Sequence, residues 1–159
     1  MKRNYNLLSH LPPQDLRFVQ LSGVEEISKL FNLNLTLQSP RGDINPADMI
    51  GKPLTLEIAM QGGVRHINGQ CSHFICTGKH GRHYAYLATI QPWLWYATRR
   101  QDYRIFQHKT VPEMVQEVLG TYGFELRLEL SKSYRTWEYC VQYRETDANF
   151  VMRMLEHEG

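Results

Sequence analysis

Short segments in which apolar and polar residues alternate occupy the first two thirds of the chain. In one of them, Leu33, Leu35 and Leu37 fall on one side, and Asn34 and Thr36 fall on the other. This period of two is typical of a β-strand with one buried face. The same pattern predicts strands over 16–21, 33–37, 54–58, 64–69, 71–75 and 83–90. Short strands with turn signals between them indicate a small, strongly curved antiparallel sheet or barrel.

Glycine, proline and asparagine mark the connections between these strands. The segments 61–63 and 78–81 contain glycines that favour hairpin turns. Asn45 followed by a proline predicts a short helix that begins there and ends at Gly51. Residues 25–31 are expected to form one helical turn.

The spacing of the apolar residues changes after residue 107, from the alternation of a strand to the spacing of a helix. Thr110 and Glu113 have the spacing of a capping box, which predicts the start of a helix. One apolar face then follows at helical spacing: Val111, Met114, Val115, Val118 and Leu119. Alternation predicts two further strands, over 126–130 and over 137–143. A last helix is expected to begin at Thr146 or Asp147, with Phe150, Met154 and Leu155 turned inward.

These elements predict a mainly β protein with an α/β segment. A polar stretch with two prolines, residues 1–15, is expected to be a flexible or extended arm. A curved, antiparallel, β-barrel-like domain follows over 16–107. Residues 108–159 then form a helix–strand–strand–helix region, which we expect to be the beginning of a domain that continues in a longer protein.

Large aromatic residues cluster at the junction between the two parts. Trp93, Trp95 and Tyr96 lie within four positions, and each can bury roughly 150–250 Å². We interpret them as core packing at a domain junction. Arg99 and Arg100 follow at once.

Composition and charge indicate an ordinary globular protein. Hydrophobic residues make up 42% of the 159 positions and charged residues 21%, and the net charge of +2 is too small to predict binding to nucleic acid or membranes. No apolar run reaches the ~20 residues that a membrane-spanning helix needs. The amino terminus lacks the apolar run of a secretory signal peptide. Three widely spaced cysteines favour a reducing compartment over a disulfide framework.

A group of thiols and imidazoles is the candidate metal site: Cys71, His73, Cys76, His80 and His83. Zinc binds such ligands, and four of them complete a tetrahedral site. On a strand, however, Cys71 and Cys76 face opposite sides, so convergence needs a bulge or the adjacent turn. The alternative interpretation is a small buried thiol beside surface histidines, with no metal.

Motifs for catalysis are absent from the sequence. It contains no nucleophile elbow, phosphate-binding loop, dinucleotide fingerprint or metalloprotease helix. The carboxylate pairs Glu25–Glu26 and Glu156–Glu158 lie in polar contexts typical of solvated surfaces. We therefore expect no enzymatic activity, no small-molecule substrate and no cofactor. The mixture of Arg99, Arg100 and Arg104 with aromatic residues leaves a nucleic-acid-binding β-barrel module as the alternative function.

Five segments in a fixed order carry a resemblance to a known family. They are 23–31 (Gly-x-Glu-Glu-Ile-Ser-x-Leu-Phe), 50–56 (Ile-Gly-Lys-Pro-Leu-Thr-Leu), 91–95 (Gln-Pro-Trp-Leu-Trp), 104–113 (Arg-Ile-Phe-Gln-x-Lys-Thr-Val-Pro-Glu) and 138–159 (Glu-Tyr-Cys-Val-Gln-Tyr-Arg-Glu-Thr-Asp-x-x-Phe-x-x-Arg-x-Leu-Glu-x-Glu-Gly). Together they resemble the N-terminal region of the VgrG spike proteins of bacterial type VI secretion. The same region is similar to the hub proteins of contractile phage tails and to the phage late-control proteins.

The resemblance implies the hub region of a homotrimeric spike that caps a hexameric tube of Hcp-like protein and helps to puncture a target cell and deliver effectors. Baseplate components and effectors are the other implied partners, and nucleic acid is not among them. It also implies two related β-barrels in each subunit, so that three subunits match a six-fold tube. The implied location is the bacterial cytoplasm, followed by export through contractile secretion without a signal peptide. The cysteine- and histidine-rich hairpin and residues 1–15 lie outside the resemblance.

Overall fold

The computed structural model describes residues 4–159 and divides into two compact units. The first ends at Pro92 and the second begins at Trp93. The sequence prediction placed this boundary at residue 107. The difference arises because the strand Gln101–Lys109 pairs with the strand Trp137–Thr146 of the second unit and with no described strand of the first.

A six-stranded antiparallel sheet forms the first unit. Its strands are β1 (Tyr5–Leu8), β2 (Arg17–Val24), β3 (Asn32–Ser39), β4 (Pro53–Met60), β5 (Gly63–His80) and β6 (His83–Gln91), and their order in space is β1-β4-β5-β6-β3-β2. The two edge strands approach each other, and the rings of Tyr5 and Phe18 meet edge to face with centroids 4.9 Å apart. The sheet is therefore curled, which confirms the predicted fold class.

Strand β1 lies within the segment that was predicted to be an arm. It pairs with β4 from Tyr5 opposite Ile58 to Leu8 opposite Thr55. Part of the arm is thus an edge strand of the sheet, and residues 1–3 lie outside the described residues.

Strand β5 is 18 residues long and pairs with a different strand along each half of its length. It pairs with β4 up to Gln70 and with β6 from Gln70 onward. A side chain at position 69 would have no room, because a Cβ atom on Gly69 would lie 2.9 Å from the carbonyl oxygen of Gln91. Glycine at this position therefore lets two backbones approach closely where β5 changes partner.

The core of the first unit lies on one face of the curled sheet. The alternation of β3 buries Leu33, Leu35 and Leu37, as the sequence predicted. Side chains from the other strands and the connections complete this core: Leu16, Ile44, Met49, Leu54, Leu56, Ile67, Cys71, Phe74, Tyr86, Ala88 and Ile90.

The connections of the first unit follow the sequence prediction in one case and contradict it in another. Asn45 caps a 3₁₀ turn, Pro46–Asp48, by accepting a hydrogen bond of 3.0 Å from the N–H of Ala47. The helical turn predicted for residues 25–31 is wrong. Those residues form a non-helical turn in which Ser28 adopts a φ of 62°, and a left-handed residue interrupts a helix.

Two strands and two helices form the second unit. They are β7 (Gln101–Lys109), α1 (Val111–Leu119), β8 (Trp137–Thr146) and α2 (Asp147–Glu158), with 3₁₀ turns at Trp93–Thr98 and Gly120–Tyr122. Strands β7 and β8 form an antiparallel ribbon. The core of this unit consists of Ala97, Phe106, Val111, Met114, Val115, Val118, Leu119, Cys140, Ala148, Phe150, Val151 and Met154.

Both helices begin where the sequence predicted. Thr110 precedes α1, and the predicted apolar face of α1 is buried. The hydroxyl oxygen of Thr146 caps α2 by accepting a hydrogen bond of 3.1 Å from the N–H of Asn149. Within residues 4–159, neither helix is long and apolar enough to span a bilayer.

Two predictions for the second unit are wrong. Residues 126–130 pair with no strand among the described residues, although Leu126 packs against the core. The order after α1 is therefore strand–helix. Leu155 is exposed, because at helical spacing Val151 and Met154 take the inward positions beside Phe150.

Candidate interaction surface

The inner face of the β7–β8 ribbon packs on helix α2. The rings of Phe106 and Phe150 stack with centroids 5.1 Å apart, and the sulfur of Cys140 lies 3.7 Å from that of Met154. Both strands therefore bury one face in the core of the second unit.

The outer face of the ribbon is also apolar. It carries Tyr103 and Ile105 from β7 and Tyr139, Val141 and Tyr143 from β8. Four of these side chains are 55–65% exposed, Val141 being the exception. Strands that are apolar on both faces are typical of sheets covered on both sides. The outer face is therefore the strongest candidate for a contact surface.

A β-bulge places a cation on this outer face. In the register, Asp102 lies opposite Glu145 and Tyr103 opposite Tyr143, so Arg144 is the extra residue of β8. Its φ is 50°, and its Nε donates a hydrogen bond of 3.0 Å to the hydroxyl of Tyr103. The guanidinium also lies 5.7 Å from the ring centre of Tyr143. Bulges commonly redirect a side chain in this way.

A buried carboxylate fixes the junction between β8 and α2. Asp147 has no exposure to solvent, and its two oxygens accept hydrogen bonds of 2.7 Å from Tyr122 and from the side chain of Gln142. Arg104 and Arg100 lie 3.5 and 3.8 Å from the same carboxylate. Burial first, and then the hydrogen bond to Asp147, raise the pKa of the Tyr122 hydroxyl.

The arginines of the alternative, nucleic-acid-binding function are largely occupied by internal contacts. Arg104 and Arg100 also contact Asp102, at 2.9 and 3.4 Å. The hydrogen bond from the N–H of Tyr103, and then the charges of the two arginines, lower the pKa of Asp102. Arg99 lies over the ring of Trp95, 4.5 Å from its centre. Two of the three guanidinium charges are thus balanced by carboxylates.

The junction aromatics pack within the second unit. The rings of Trp93 and Tyr96 both stack on Phe124, with centroids 5.1 and 5.8 Å apart. These ring contacts hold the beginning of segment 124–130 in place, although the segment forms no strand.

The candidate metal ligands are distributed along β5 and its hairpin to β6. Cys71 is buried, its thiol donates to the carbonyl oxygen of His73 at 3.3 Å, and burial raises its pKa to about 11. Cys76 is exposed, and His80 pairs with His83 at the hairpin end. Within the described part of the chain, no three histidine, cysteine or acidic side chains form a group that could hold one metal ion.

An exposed turn in the first unit has the opposite charge to the bulge. The segment 24–29, which we name the Ile27 turn, begins at the last residue of β2. The N–H of Lys29 donates to the carbonyl oxygen of Glu26 at 3.3 Å, and Ile27 at the tip is 96% exposed. Glu25 and Glu26 precede it, and each forms an ion pair at the surface, with Arg65 and Lys29 respectively.

Comparison with protein families assigns the chain. A model described as "Phage tail baseplate hub (GPD)" matches residues 24–159. This chain belongs to the phage tail baseplate hub family. The resemblance predicted from the sequence is thereby confirmed.

Relatives of this hub chain include spike proteins of type VI secretion. The chain is 40% identical to the type VI secretion system spike protein VgrG1c of Pseudomonas aeruginosa over 95% of its length, and 39% identical to VgrG1a of the same organism over 94%. It is 31% identical to VgrG3 of Vibrio cholerae over 81%. These matches cover 21%, 24% and 13% of the respective relatives, so the chain spans about a quarter of their length or less.

Solved structures share the fold of the hub chain. An Escherichia coli protein, c3393, described as a component of the type VI secretion system with similarity to the T4 bacteriophage tail proteins gp27 and gp5, aligns with a TM-score of 0.82 and 22% identity over 97% of this chain and 43% of its own. The 43 kDa tail protein of prophage MuSo2 from Shewanella oneidensis aligns with a TM-score of 0.66 and 12% identity, over 97% of this chain and 48% of its own.

Sequence reasoning missed three features of the hub chain's surface. The sequence shows that apolar and polar residues alternate in β8, but it does not show that the apolar side faces outward. The bulge at Arg144 leaves no signal in a single sequence. Ile27 was assigned to a helical turn. One signal was present in the sequence. The residues between the apolar positions of β8 include Cys140, a residue type that is often buried, and Gln142, which carries no charge, and the structure buries both.

Proposed function

We propose that this chain is the N-terminal hub region of a trimeric spike that caps a hexameric, Hcp-like tube of a type VI secretion apparatus. In this role it helps the spike to puncture a target cell and deliver effectors, and it contacts baseplate components. The observation that carries the proposal is the family match over 24–159. The identity of 39–40% with spike proteins of type VI secretion favours secretion over a phage tail.

The function is mechanical and needs no catalytic step within residues 1–159. A hub has to be a rigid adaptor, and a curled sheet with a continuous core supplies rigidity. The apolar outer face of the ribbon supplies a surface for assembly. The chain is made in the bacterial cytoplasm and leaves the cell by contraction of the apparatus.

Genetics and export together test the proposal. We name the natural protein that contains residues 1–159 the complete protein. Deletion of its gene should abolish the appearance of the tube protein in the culture medium, and the intact gene should restore it. A gene that lacks codons 24–159 should not restore it, although the shortened protein must be detected in the cells as a control. Normal export in the deletion strain, in the absence of a second spike gene, would contradict the proposal.

The second candidate is the hub of a phage tail, which the family description itself favours. Purified particles distinguish the two. A spike of type VI secretion should sediment with sheath and tube from cells that contain no phage particles. A tail hub should instead be found in released particles that contain DNA.

A further inference from the structure

We propose that the outer face of the β7–β8 ribbon binds the Ile27 turn of a second copy of this chain. In that contact Ile27 packs among the outer-face tyrosines and Glu26 pairs with Arg144. The inference rests on the proposed trimer and specifies one of its contacts.

The outer face has the composition of an interface centre. Tyrosine and arginine are the residue types that most often dominate binding energy, since they offer a large apolar area with a polar end. Tyr103 and Tyr143 meet edge to face with centroids 5.5 Å apart, so two aromatic rings in contact lie on the same face as Ile105. A tyrosine side chain has only two rotatable angles, so it loses little conformational entropy on binding.

Arg144 gives this face a charge that the chain leaves unbalanced. No carboxylate among residues 4–159 forms an ion pair with its guanidinium, and its one hydrogen bond goes to Tyr103. The neighbouring Glu145 is engaged by Arg153 instead. The backbone at Arg144 adopts the left-handed region, which is unfavourable for a residue other than glycine. This conformation holds the cation over the two tyrosines, where it attracts a carboxylate.

The Ile27 turn complements this face in both respects. Ile27 is the most exposed of the large hydrophobic side chains among the described residues, and Val24 in the same turn is 63% exposed. Glu26 has only the exposed Lys29 as its ion-pair partner in the described chain, and ion pairs between exposed side chains contribute little to stability. The carboxylate can therefore exchange that partner for Arg144 at little cost.

The Ile27 turn and the outer face of the ribbon are different surfaces, so the contact between two copies is heterologous. Contacts of this kind close into rings when the rotation between copies allows it. One turn packed against one face of the ribbon buries less surface than the roughly 1,600 Å² of a standard interface. A single contact of this kind therefore binds weakly. Three such contacts in one ring reinforce each other through effective concentration.

Photo-crosslinking in the complete protein tests the contact. A photoreactive phenylalanine analogue replaces Ile27, and the sample is assembled from equal amounts of normal and isotope-labelled chains, so that mass spectrometry separates links between copies from links within one copy. We expect links between copies to peptides that contain residues 103–107 or 139–144. The same analogue at Met60, which is 61% exposed at the end of β4, is the matched control and should not reach those peptides.

Charge reversal tests the pairing. Arg144→Glu and Glu26→Arg should each lower the yield of the link about tenfold, because like charges then meet in the contact. The double variant should return to within about twofold of the unchanged protein. Arg127→Glu, a reversal at another exposed arginine, should leave the yield unchanged. Equal melting temperatures of all variants show that folding is intact.

The outcomes separate the inference from the proposed function. Light scattering first determines whether the complete protein is a trimer. A trimer without links to the outer face, links only within one copy, or a double variant that does not recover would each overturn the inference and leave the spike role standing. A protein that is not trimeric would overturn the proposed trimer, whereas links between its copies at the outer face would still support the contact.

Discussion

The hydroxyl of Tyr122 donates a hydrogen bond of 2.7 Å to Oδ2 of Asp147, a side chain with no exposure to solvent. Asp147 is the first residue of α2, and its own N–H donates to the carbonyl oxygen of Arg100 at 3.0 Å. One buried carboxylate thus connects the 3₁₀ turn after α1, the start of β7 and the start of α2.

Removal of this hydroxyl should destabilise the second unit. Tyr122→Phe leaves the buried carboxylate with one donor fewer, and we expect a loss of about 1–3 kcal/mol in the free energy of unfolding. Urea denaturation followed by fluorescence measures it. Tyr139→Phe, at an exposed tyrosine, is the control and should change stability by less than about 0.5 kcal/mol. Equal effects of the two substitutions would show that the Asp147 hydrogen bond contributes nothing.

The same hydroxyl predicts a dependence on alkaline pH. Its pKa is raised in the folded protein, whereas an unfolded tyrosine titrates near pH 10. The folded state therefore keeps a proton that the unfolded state loses, and this contribution is complete below about pH 10 and decreases above it. The difference in unfolding free energy between the unchanged protein and Tyr122→Phe should be smaller at about pH 11 than at about pH 8.

Helix α1 should show the opposite dependence, on acid pH. The carboxylate of Glu113 accepts hydrogen bonds of 2.7 and 2.8 Å from the N–H and the hydroxyl of Thr110, and these bonds lower its pKa. Its contribution is present above the ordinary glutamate pKa of about 4.3 and is lost as pH falls through the lowered value. Glu113→Gln should lower the melting temperature at neutral pH and have less effect at about pH 3. Glu125→Gln, at an exposed glutamate that forms no ion pair among the described residues, is the control, and an equal pH dependence of both variants would count against the cap.

The three cysteines should differ in their reaction with a thiol reagent. Cys76 is exposed, whereas Cys71 and Cys140 are buried and burial raises the pKa of both thiols. The thiolate is the reactive form, so both position and pKa protect them. Iodoacetamide at about pH 8 should modify Cys76 first, and the other two only after unfolding. Peptide mass spectrometry measures the order, and modification of Cys71 at the rate of Cys76 would contradict the packing of β5.

We expect the β5–β6 hairpin to hold no structural metal. The thiol of Cys71 lies in the core, whereas Cys76 and His80 are exposed, so the ligands do not converge. Elemental analysis of protein treated with a chelator should find no zinc. One tightly held zinc per chain that is lost in Cys71→Ser and in His83→Ala would reverse this expectation.

The chain of residues 1–159 should be monomeric or only weakly self-associating in solution. The resemblance implies two barrels per subunit and a downstream needle for the trimer, whereas residues 4–159 contain one curled six-stranded sheet. In the proposed role this chain carries half of the docking surfaces of a subunit, so avidity is lost and its affinity for the tube protein should also be low. A stable trimer at micromolar concentration in light scattering would contradict the first expectation. Tube binding as tight as that of the complete protein would contradict the second.

The elements that depend on local chemistry follow from short stretches of the amino-acid sequence. The alternation of Leu33, Leu35 and Leu37 identified both the strand and its buried side, because one face of that strand meets a core. Thr110 and Thr146 marked the helix starts, since the cap is a contact over three residues. The five matched segments also indicated the family, because their order and spacing are properties of the chain alone.

The pairing of the strands and the faces that remain open depend on contacts between distant parts of the chain. Residues 126–130 alternate as well as β3 does, but no strand in the described chain lies beside them, and a strand needs a partner for its backbone hydrogen bonds. In β8 the apolar side faces outward because Cys140 and Gln142 fit against α2. The position of Arg144 depends on a register shift between β7 and β8, residues that are about forty positions apart in the chain. Periodicity reports that two faces differ, and only packing determines which of them is buried.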